Sequence, residues 1–189
     1  MSLLIIQMRN VEVYNNVLSN DVLIEIEEVI VKANILGEFI DNDIFGWEDD
    51  LVVHDKIKIL PLNDKYKILY NKICENINKI LHKNIQGIQL NIHGIPKNAY
   101  IPHHTDSHVD FAITIYINRS WSFDYGGFLK FKENDKNFKV MPKYNTMVYL
   151  KDVLHWVTPN LSDEIRYTIQ GFYTTNIYYK NIPINDFSI

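Results

Sequence analysis

The chain has 189 residues and a mass of 22.3 kDa, which is enough for one domain with a substantial buried core. Hydrophobic residues make up 47% and aromatic residues 13%, which argues against a disordered chain. Nineteen basic and 23 acidic residues give a net charge of −4 without a basic stripe, so nucleic acid is not expected as a main partner.

The sequence indicates one continuous domain, residues 1–189, without repeats or a Pro/Gly-rich linker. The single cysteine, Cys74, lies in a helical pattern and is interpreted as a buried core thiol. No segment approaches the roughly 18 apolar residues of a membrane span. We therefore expect no membrane partner and a cytoplasmic location, and the oligomeric state stays open.

The N-terminal part of the chain is predicted to be mainly helical. "LLIIQM" and "VEVY" are typical of short strands, and a helix is predicted from about Asp21 to Ala33, with cap candidates Ser19 and Asn20. Residues 35–60 are predicted to be irregular; an ordinary surface loop is the simpler interpretation, and a cover over a substrate that includes Trp47 is the alternative. A second helix is predicted within "NDKYKILYNKICENINKILHK". Its apolar stripe comprises Tyr66, Ile68, Leu69, Ile73, Ile77, Ile80 and Leu81.

From Ile88 onward the hydrophobic period changes to two, which predicts strands separated by turns. The seven strand candidates are "IQLNIHG", "FAITIYIN", "GFLKF", "FKVMP", "NTMVYL", "LHWVT" and "RYTIQGFYTTNIYY". Helices followed by an antiparallel β half predict a mostly β protein, a barrel or sandwich with helices on one face.

The run "AYIPHHTDSHVDF" contains three histidines and two aspartates, so it is either a metal site or a polar loop. Residues i and i+2 of a strand point to one side, so His104 and Asp106 could converge on an ion. His108 and Asp110 form a second pair of the same spacing. Only one of the two pairs is expected to bind metal.

The candidate third ligand is His155 in "DVLHWVTP", the only histidine downstream of these pairs. Two histidines and one carboxylate with open cis positions are the ligand set that suits non-haem Fe(II) oxygen chemistry. A histidine-rich loop without metal remains the alternative at this point, since such pairs also occur by chance.

Two further strands carry polar groups on one side. In "RYTIQGF", Arg166, Thr168 and Gln170 share a side, and a buried arginine would need an anion such as a small dicarboxylate. In "FAITIYIN", Tyr116 lies on the small, polar side and could contact the same anion. A half-exposed strand is the alternative for this second segment.

These residues resemble the Fe(II)/2-oxoglutarate-dependent dioxygenases, specifically the prolyl 4-hydroxylase-like branch. The resemblance extends from about Ile88 to Tyr173. It rests on the ordered set "IPHHTD", "ITIYINRSW", "YGGFLKF", "VMPKYNTMVYL", "LHWVTP" and "RYTIQGFY".

The resemblance implies a double-stranded β-helix, or jelly roll, with helical support over about 1–86 and a β core over about 87–178. It also implies Fe(II), 2-oxoglutarate and O2, with ascorbate as a stimulant. The implied metal ligands are His104, Asp106 and His155, and the implied 2-oxoglutarate residues are Arg166, Tyr116 and Thr168. Spacing favours Asp106 over Asp110, because family members place a loop before the strand that ends near Asn118, which follows Asp106 by 12 residues and Asp110 by eight.

The remaining histidines are expected to have other positions. His103 and His108 are interpreted as groups near the site or in a solvated loop, His93 as a core histidine, and His54 and His82 as surface residues. Trp121 is expected to pack at a hairpin. Gly126 and Gly127 are expected to adopt backbone angles that a side chain would forbid.

The favoured function is hydroxylation of a small molecule, an amino acid or a peptide or protein side chain, with conversion of 2-oxoglutarate to succinate. A cupin-like metal-binding sensor without catalysis is the first alternative. A nucleic-acid demethylase is the second.

Overall fold

The computed structural model describes residues 3–43, 56–85 and 87–175. The helices are α1 (Asn20–Leu36) and α2 (Lys67–Leu81), and the strands are β1 (Leu3–Gln7), β2 (Val11–Asn15), β3 (Ile40–Asp41), β4 (Lys58–Pro61), β5 (Gln89–Ile95), β6 (Ile101–His104), β7 (Phe111–Tyr116), β8 (Leu129–Glu133), β9 (Lys136–Val140), β10 (Thr146–Leu150), β11 (His155–Val157) and β12 (Arg166–Tyr173). Short 3₁₀ turns occupy Asp64–Tyr66 and Phe123–Tyr125.

The strands form two antiparallel sheets. The large sheet has the order β1-β2-β10-β7-β12-β5-β4-β3, and the small sheet has the order β6-β11-β8-β9. From β5 to β12 the chain passes back and forth between the sheets, with the β8–β9 hairpin as the one step within a sheet. This alternation is the topology of a jelly roll, and it confirms the predicted fold class.

The large sheet separates two apolar cores. On its outer face, Ile113 and Ile115 of β7 pack with Ile26 of α1 and Ile73 of α2. On its inner face, Tyr116 packs with apolar side chains of the small sheet. The predicted alternation of "FAITIYIN" is therefore confirmed, because its apolar side meets the helices and its polar side faces the interior.

Helix α1 is longer than predicted at its C-terminal end. It continues three residues past Ala33 because Gly37 is the residue that adopts the left-handed conformation, and its N–H caps the carbonyls of Ala33 and Asn34. On α2, Ile68 is 72% exposed, so its place in the predicted apolar stripe was wrong. A residue directly before Leu69 is rotated by about 100° from that buried side chain.

Residues 35–60 contain more structure than predicted. Strands β3 and β4 pair with each other, and β4 extends the large sheet through β5. The predicted cover with Trp47 lies outside the described residues. Strand β6 was not among the strand candidates, and Cys74 is partly rather than fully buried. No helix of the described part could span a membrane.

Gly171 in the centre of β12 provides a test of the outer core. A Cβ atom there would lie 2.6 Å from Cγ1 of Ile113 and 2.9 Å from a methyl group of Leu90. We expect Gly171→Ala to lower the free energy of unfolding by about 1–3 kcal/mol, because extra volume in a packed core forces neighbours to move. Denaturant titration measures this change.

A double-mutant cycle can separate the steric contact with Ile113 from a general effect of the substitution on stability. An Ile113→Ala background removes the closer of the two contacts and leaves only the Leu90 methyl group near, so Gly171→Ala should cost less there. Equal costs in both backgrounds would contradict the packing explanation.

Candidate metal centre and anion pocket

Strand pairing brings two histidines together. Strands β6 and β11 are antiparallel neighbours, and His104 lies directly opposite His155. Their ring centroids are 4.1 Å apart. Strand β6 ends at His104. Asp106 follows in a turn, where its backbone carbonyl accepts a hydrogen bond from the N–H of Val109. All three side chains therefore come to the edge of the small sheet.

The three side chains could hold a metal ion. Nε2 of His155 lies 3.5 Å from one carboxylate oxygen of Asp106, and Nε2 of His104 lies 3.9 Å from the other. One ligand atom from each residue lies within 4.8 Å of the others. Each Nδ1–H donates to a carbonyl, that of Pro102 at 2.9 Å and that of Val153 at 2.8 Å. Each Nε2 therefore keeps its lone pair for a ligand bond.

The surroundings of His155 favour its neutral imidazole. Burial lowers the pKa of His155, with a smaller lowering from His104, and these outweigh the opposing effect of Asp106. His155 therefore stays unprotonated to a lower pH than an ordinary histidine. A metal competes with protons for this nitrogen, so the lowered pKa extends metal binding into mildly acidic solution.

The other histidines lie apart from the cluster. His108 and Asp110 are exposed, and Asp110 accepts a hydrogen bond from the N–H of Thr175 at 2.7 Å. His103 is exposed and lies against Trp156, with ring centroids 4.1 Å apart. His82 is exposed at the end of α2, as expected, and His54 lies outside the described residues.

Arg166 is a buried cation at the start of β12. Its side chain is 1% exposed, and Nη1 donates to the carbonyl of Gly127. Its guanidinium carbon lies 5.8 Å from the ring centroid of Tyr116. Within residues 3–43, 56–85 and 87–175 it forms no salt bridge, and its Nε has no hydrogen-bond partner. Because burial of an uncompensated charge is unfavourable, this pocket fits a carboxylate ligand.

Tyr116 and Thr168 complete the pocket from adjacent strands. They are directly opposite each other, and both are buried. The hydroxyl of Tyr116 has no hydrogen-bond partner among the described residues, and burial raises its pKa to about 12. It therefore stays protonated and can donate to an anion. His93 is opposite Thr168, and burial together with Arg166 lowers its pKa to about 3, so it is neutral.

The turn before β8 forms one wall of the pocket. Gly126 and Gly127 both have positive φ, of 66° and 64°, which confirms the predicted role of these glycines. A Cβ atom on Gly127 would lie 3.0 Å from Cδ of Arg166. Trp121 is buried in the same turn and donates to the carbonyl of Gly126 at 3.0 Å, as its predicted packing role requires.

Asn91 was not among the predicted site residues, although it lies next to this pocket. Gln170 accepts from Thr114 at 2.8 Å and lies opposite Asn91, whose side chain is 1% exposed. The signal was present in "IQLNIHG", where Asn91 and His93 share one side of a strand. Only the pairing with β12 shows that this side faces the interior.

The β core of the chain matches a known protein family. The family model of the 2OG-Fe(II) oxygenase superfamily matches residues 88–174, which include the whole histidine cluster and Arg166. This part of the chain is similar to the 2OG-Fe(II) oxygenase superfamily. The enzyme is thus a 2-oxoglutarate-dependent iron oxygenase that uses Fe(II), 2-oxoglutarate and O2, and stimulation by ascorbate stays a prediction.

Solved structures with similar folds include prolyl hydroxylases. A prolyl-4-hydroxylase from Pseudomonas putida is 16% identical with a TM-score of 0.68, covering 88% of this chain and 93% of that one. A Trichoplax adhaerens prolyl hydroxylase, in complex with a hypoxia inducible factor peptide fragment, is 17% identical with a TM-score of 0.72, covering 88% and 84%. A non-haem α-ketoglutarate-dependent epimerase of nogalamycin biosynthesis is 8% identical with a TM-score of 0.65, covering 92% and 84%. No match was found among curated proteins.

Proposed function

We propose that this oxygenase hydroxylates a small molecule, an amino acid or a peptide side chain, and converts 2-oxoglutarate to succinate. The proposed Fe(II) ligands are His104, Asp106 and His155, and the proposed 2-oxoglutarate residues are Arg166, Tyr116 and Thr168. The observation that supports this best is the buried guanidinium of Arg166, which has no carboxylate partner within the described residues. The cytoplasmic location and the absence of a nucleic-acid partner stay predictions.

The residues of the pocket have separate roles in this proposal. The guanidinium of Arg166 receives the far carboxylate of 2-oxoglutarate, and Tyr116 and Thr168 donate hydrogen bonds to the same group. His104, Asp106 and His155 would hold Fe(II), and the bound metal would supply the binding site for the other end of the co-substrate. Bound Fe(II) supplies the activation of O2, and 2-oxoglutarate supplies two electrons as it loses CO2.

The substrate class remains broad. The peptide bound to the Trichoplax enzyme makes a peptide side chain one candidate for this chain as well. The net charge of −4 favours a neutral or basic substrate over an acidic one. An outcome other than hydroxylation is possible on this fold, as the epimerase illustrates.

Removal of a metal ligand should weaken metal binding and lower turnover together. We expect His104→Ala and Asp106→Ala each to weaken Co(II) binding by at least tenfold, because each removes one of three protein ligands. Anaerobic titration followed by the visible absorbance of Co(II) measures this, and succinate release with Fe(II) measures turnover.

His108→Ala is the matched control, because His108 has the same spacing to an aspartate but is exposed. It should bind Co(II) and release succinate as the wild type does. If His108→Ala loses the metal while His104→Ala keeps it, the proposed ligand set is wrong.

Truncation of Arg166 should raise the requirement for 2-oxoglutarate. Loss of one partner of a desolvated charged pair costs about 2–5 kcal/mol, so we expect Arg166→Ala to raise the Kd of 2-oxoglutarate by roughly 30-fold or more. Calorimetry on the anaerobic Mn(II)-loaded protein measures the Kd.

Arg119→Ala is the control for this change, because Arg119 is exposed and pairs with Glu27 on α1 at 2.7 Å. Its Kd for 2-oxoglutarate should equal that of the wild type. An unchanged Kd in Arg166→Ala would place the co-substrate elsewhere.

A further inference from the structure

The side chain of Asn91 is a buried amide without hydrogen bonds. It is 1% exposed, and neither Oδ1 nor Nδ2 has a partner among the residues that the structure describes. Buried amides in folded proteins are almost always paired, because an unpaired one is costly. An amide that the fold leaves unsatisfied is suited to a ligand.

The neighbours of Asn91 are engaged with one another. Gln170, directly opposite Asn91 on β12, accepts from Thr114 at 2.8 Å and donates to Thr168 at 3.3 Å. Residues directly opposite each other in antiparallel strands point to the same face. The amide of Asn91 therefore faces the interior between the sheets, on the side of Tyr116 and the small sheet.

The backbone of Asn91 lies at a distance from that of Arg166 along the large sheet. Arg166 is opposite Ile95, which is four residues from Asn91 along β5. Four residues of a strand span about 13 Å. The five-carbon chain of 2-oxoglutarate spans only about 5 Å, given bonds of about 1.5 Å. Measured between backbone positions, Asn91 is thus further from Arg166 than the co-substrate is long, and we assign the space beside the Asn91 row to the molecule to be oxidised.

We propose that Asn91 binds an amide group of the prime substrate, accepting a hydrogen bond at Oδ1 and donating one from Nδ2. This inference rests on the proposed function. A primary carboxamide offers the complementary donor and acceptor on one edge, whereas a trans peptide group offers them on opposite edges and would pair with Oδ1 or Nδ2 alone. The amide is either a primary carboxamide or a peptide group, and the experiment below separates the two.

The first test is stability without ligand. Asn91→Leu replaces an unpaired amide by an apolar group of similar size, so the thermal midpoint of the protein should rise. Asn160→Leu is the matched control. Asn160 is 0% exposed, but its amide donates to the carbonyls of Ile95 and Glu164 and accepts from the N–H of Ser162, so its midpoint should fall. A fall of similar size in both variants would make Asn91 structural and overturn the proposal.

The second test is binding of amide probes to the Mn(II)-loaded protein with saturating 2-oxoglutarate. Acetamide represents a carboxamide and N-methylacetamide a peptide group. Paramagnetic broadening of the methyl proton signal of the preferred probe should be at least threefold larger with wild type than with Asn91→Leu. Acetone, which lacks the donor, should show no such difference.

The two proposals fail in different ways. Equal broadening in wild type and Asn91→Leu overturns the Asn91 proposal while 2-oxoglutarate still binds. A tenfold loss of 2-oxoglutarate affinity in Asn91→Leu also overturns it, because the amide would then serve the co-substrate. Failure of the wild type to bind 2-oxoglutarate would instead overturn the proposed function.

A separate observation concerns the outer face of α1. Ile24, Val31, Ile35 and Leu36 are 50%, 59%, 78% and 56% exposed, and they line a groove of about 510 Å³. Contiguous apolar surface of this kind is typical of a protein interface. Ile24, Glu28, Val31 and Ile35 are spaced by four, three and four residues, which is the spacing of a helix–helix seam.

The charged residues near this seam favour α1 of a second copy, in antiparallel orientation, as the partner. Two parallel copies of α1 would place Glu28 against Glu28. In an antiparallel pair about a two-fold axis, Ile24 faces Ile35 of the second copy, and Glu28 lies beside Lys32 of the second copy. The geometry points to a weak homodimer through α1, since one helix pair buries less area than most stable interfaces.

Sedimentation equilibrium tests this dimer. We expect a micromolar Kd, at least tenfold weaker in Ile35→Asp and in Glu28→Lys. The charge-swapped double variant Glu28→Lys/Lys32→Glu should restore it. Ile68→Asp, on the exposed side of α2, is the control and should dimerise normally. A mass of 22.3 kDa for the wild type at all concentrations up to about 200 µM would overturn the dimer.

Discussion

The buried guanidinium of Arg166 is the constraint on which the site depends. A cation in the interior is stable only if other groups compensate its charge. Here the carbonyl of Gly127 and the ring of Tyr116 do so in part. Within the described residues no carboxylate supplies the rest of the compensation, so the same feature that weakens the unliganded protein would favour an anionic co-substrate. Linkage then makes 2-oxoglutarate a stabiliser of the folded enzyme.

The two faces of the large sheet have different roles: the outer face contributes stability, and the inner face carries the candidate site. Strands β5, β7 and β12 place apolar side chains under the helices and most of their polar ones toward the small sheet. The outer face can therefore be closely packed, as the lack of space for a Cβ atom at Gly171 shows. The inner face contains buried polar atoms, such as the hydroxyl of Tyr116, that have no hydrogen-bond partner among the described residues. Since a strand alternates with period two, both functions fit in the same six or eight residues.

Local sequence patterns predicted those parts of this arrangement that depend on a single helix, strand or turn. The polar side of "FAITIYIN", the helices and the turn glycines all follow from nearest-neighbour rules. The ligand role of His104, Asp106 and His155 stays a prediction, although the register of β6 and β11 places these side chains together. Sequence reasoning could not find that register, because β6 contains Pro102 and is too short for a clear period. It also missed β3 and β4, whose pairing depends on distant β5.

The same limit explains why Asn91 was overlooked and Arg166 was not. An arginine that alternates with apolar residues is conspicuous, because charge is rarely buried without a reason. An asparagine in a strand is unremarkable until its partners are known, since any neighbour could satisfy its amide. In this fold Gln170 would be that neighbour, but its amide is already bonded to Thr114 and Thr168. The unsatisfied group is therefore a property of the assembled sheet. The chemistry that it can recognise follows from the row of side chains around it rather than from any one strand.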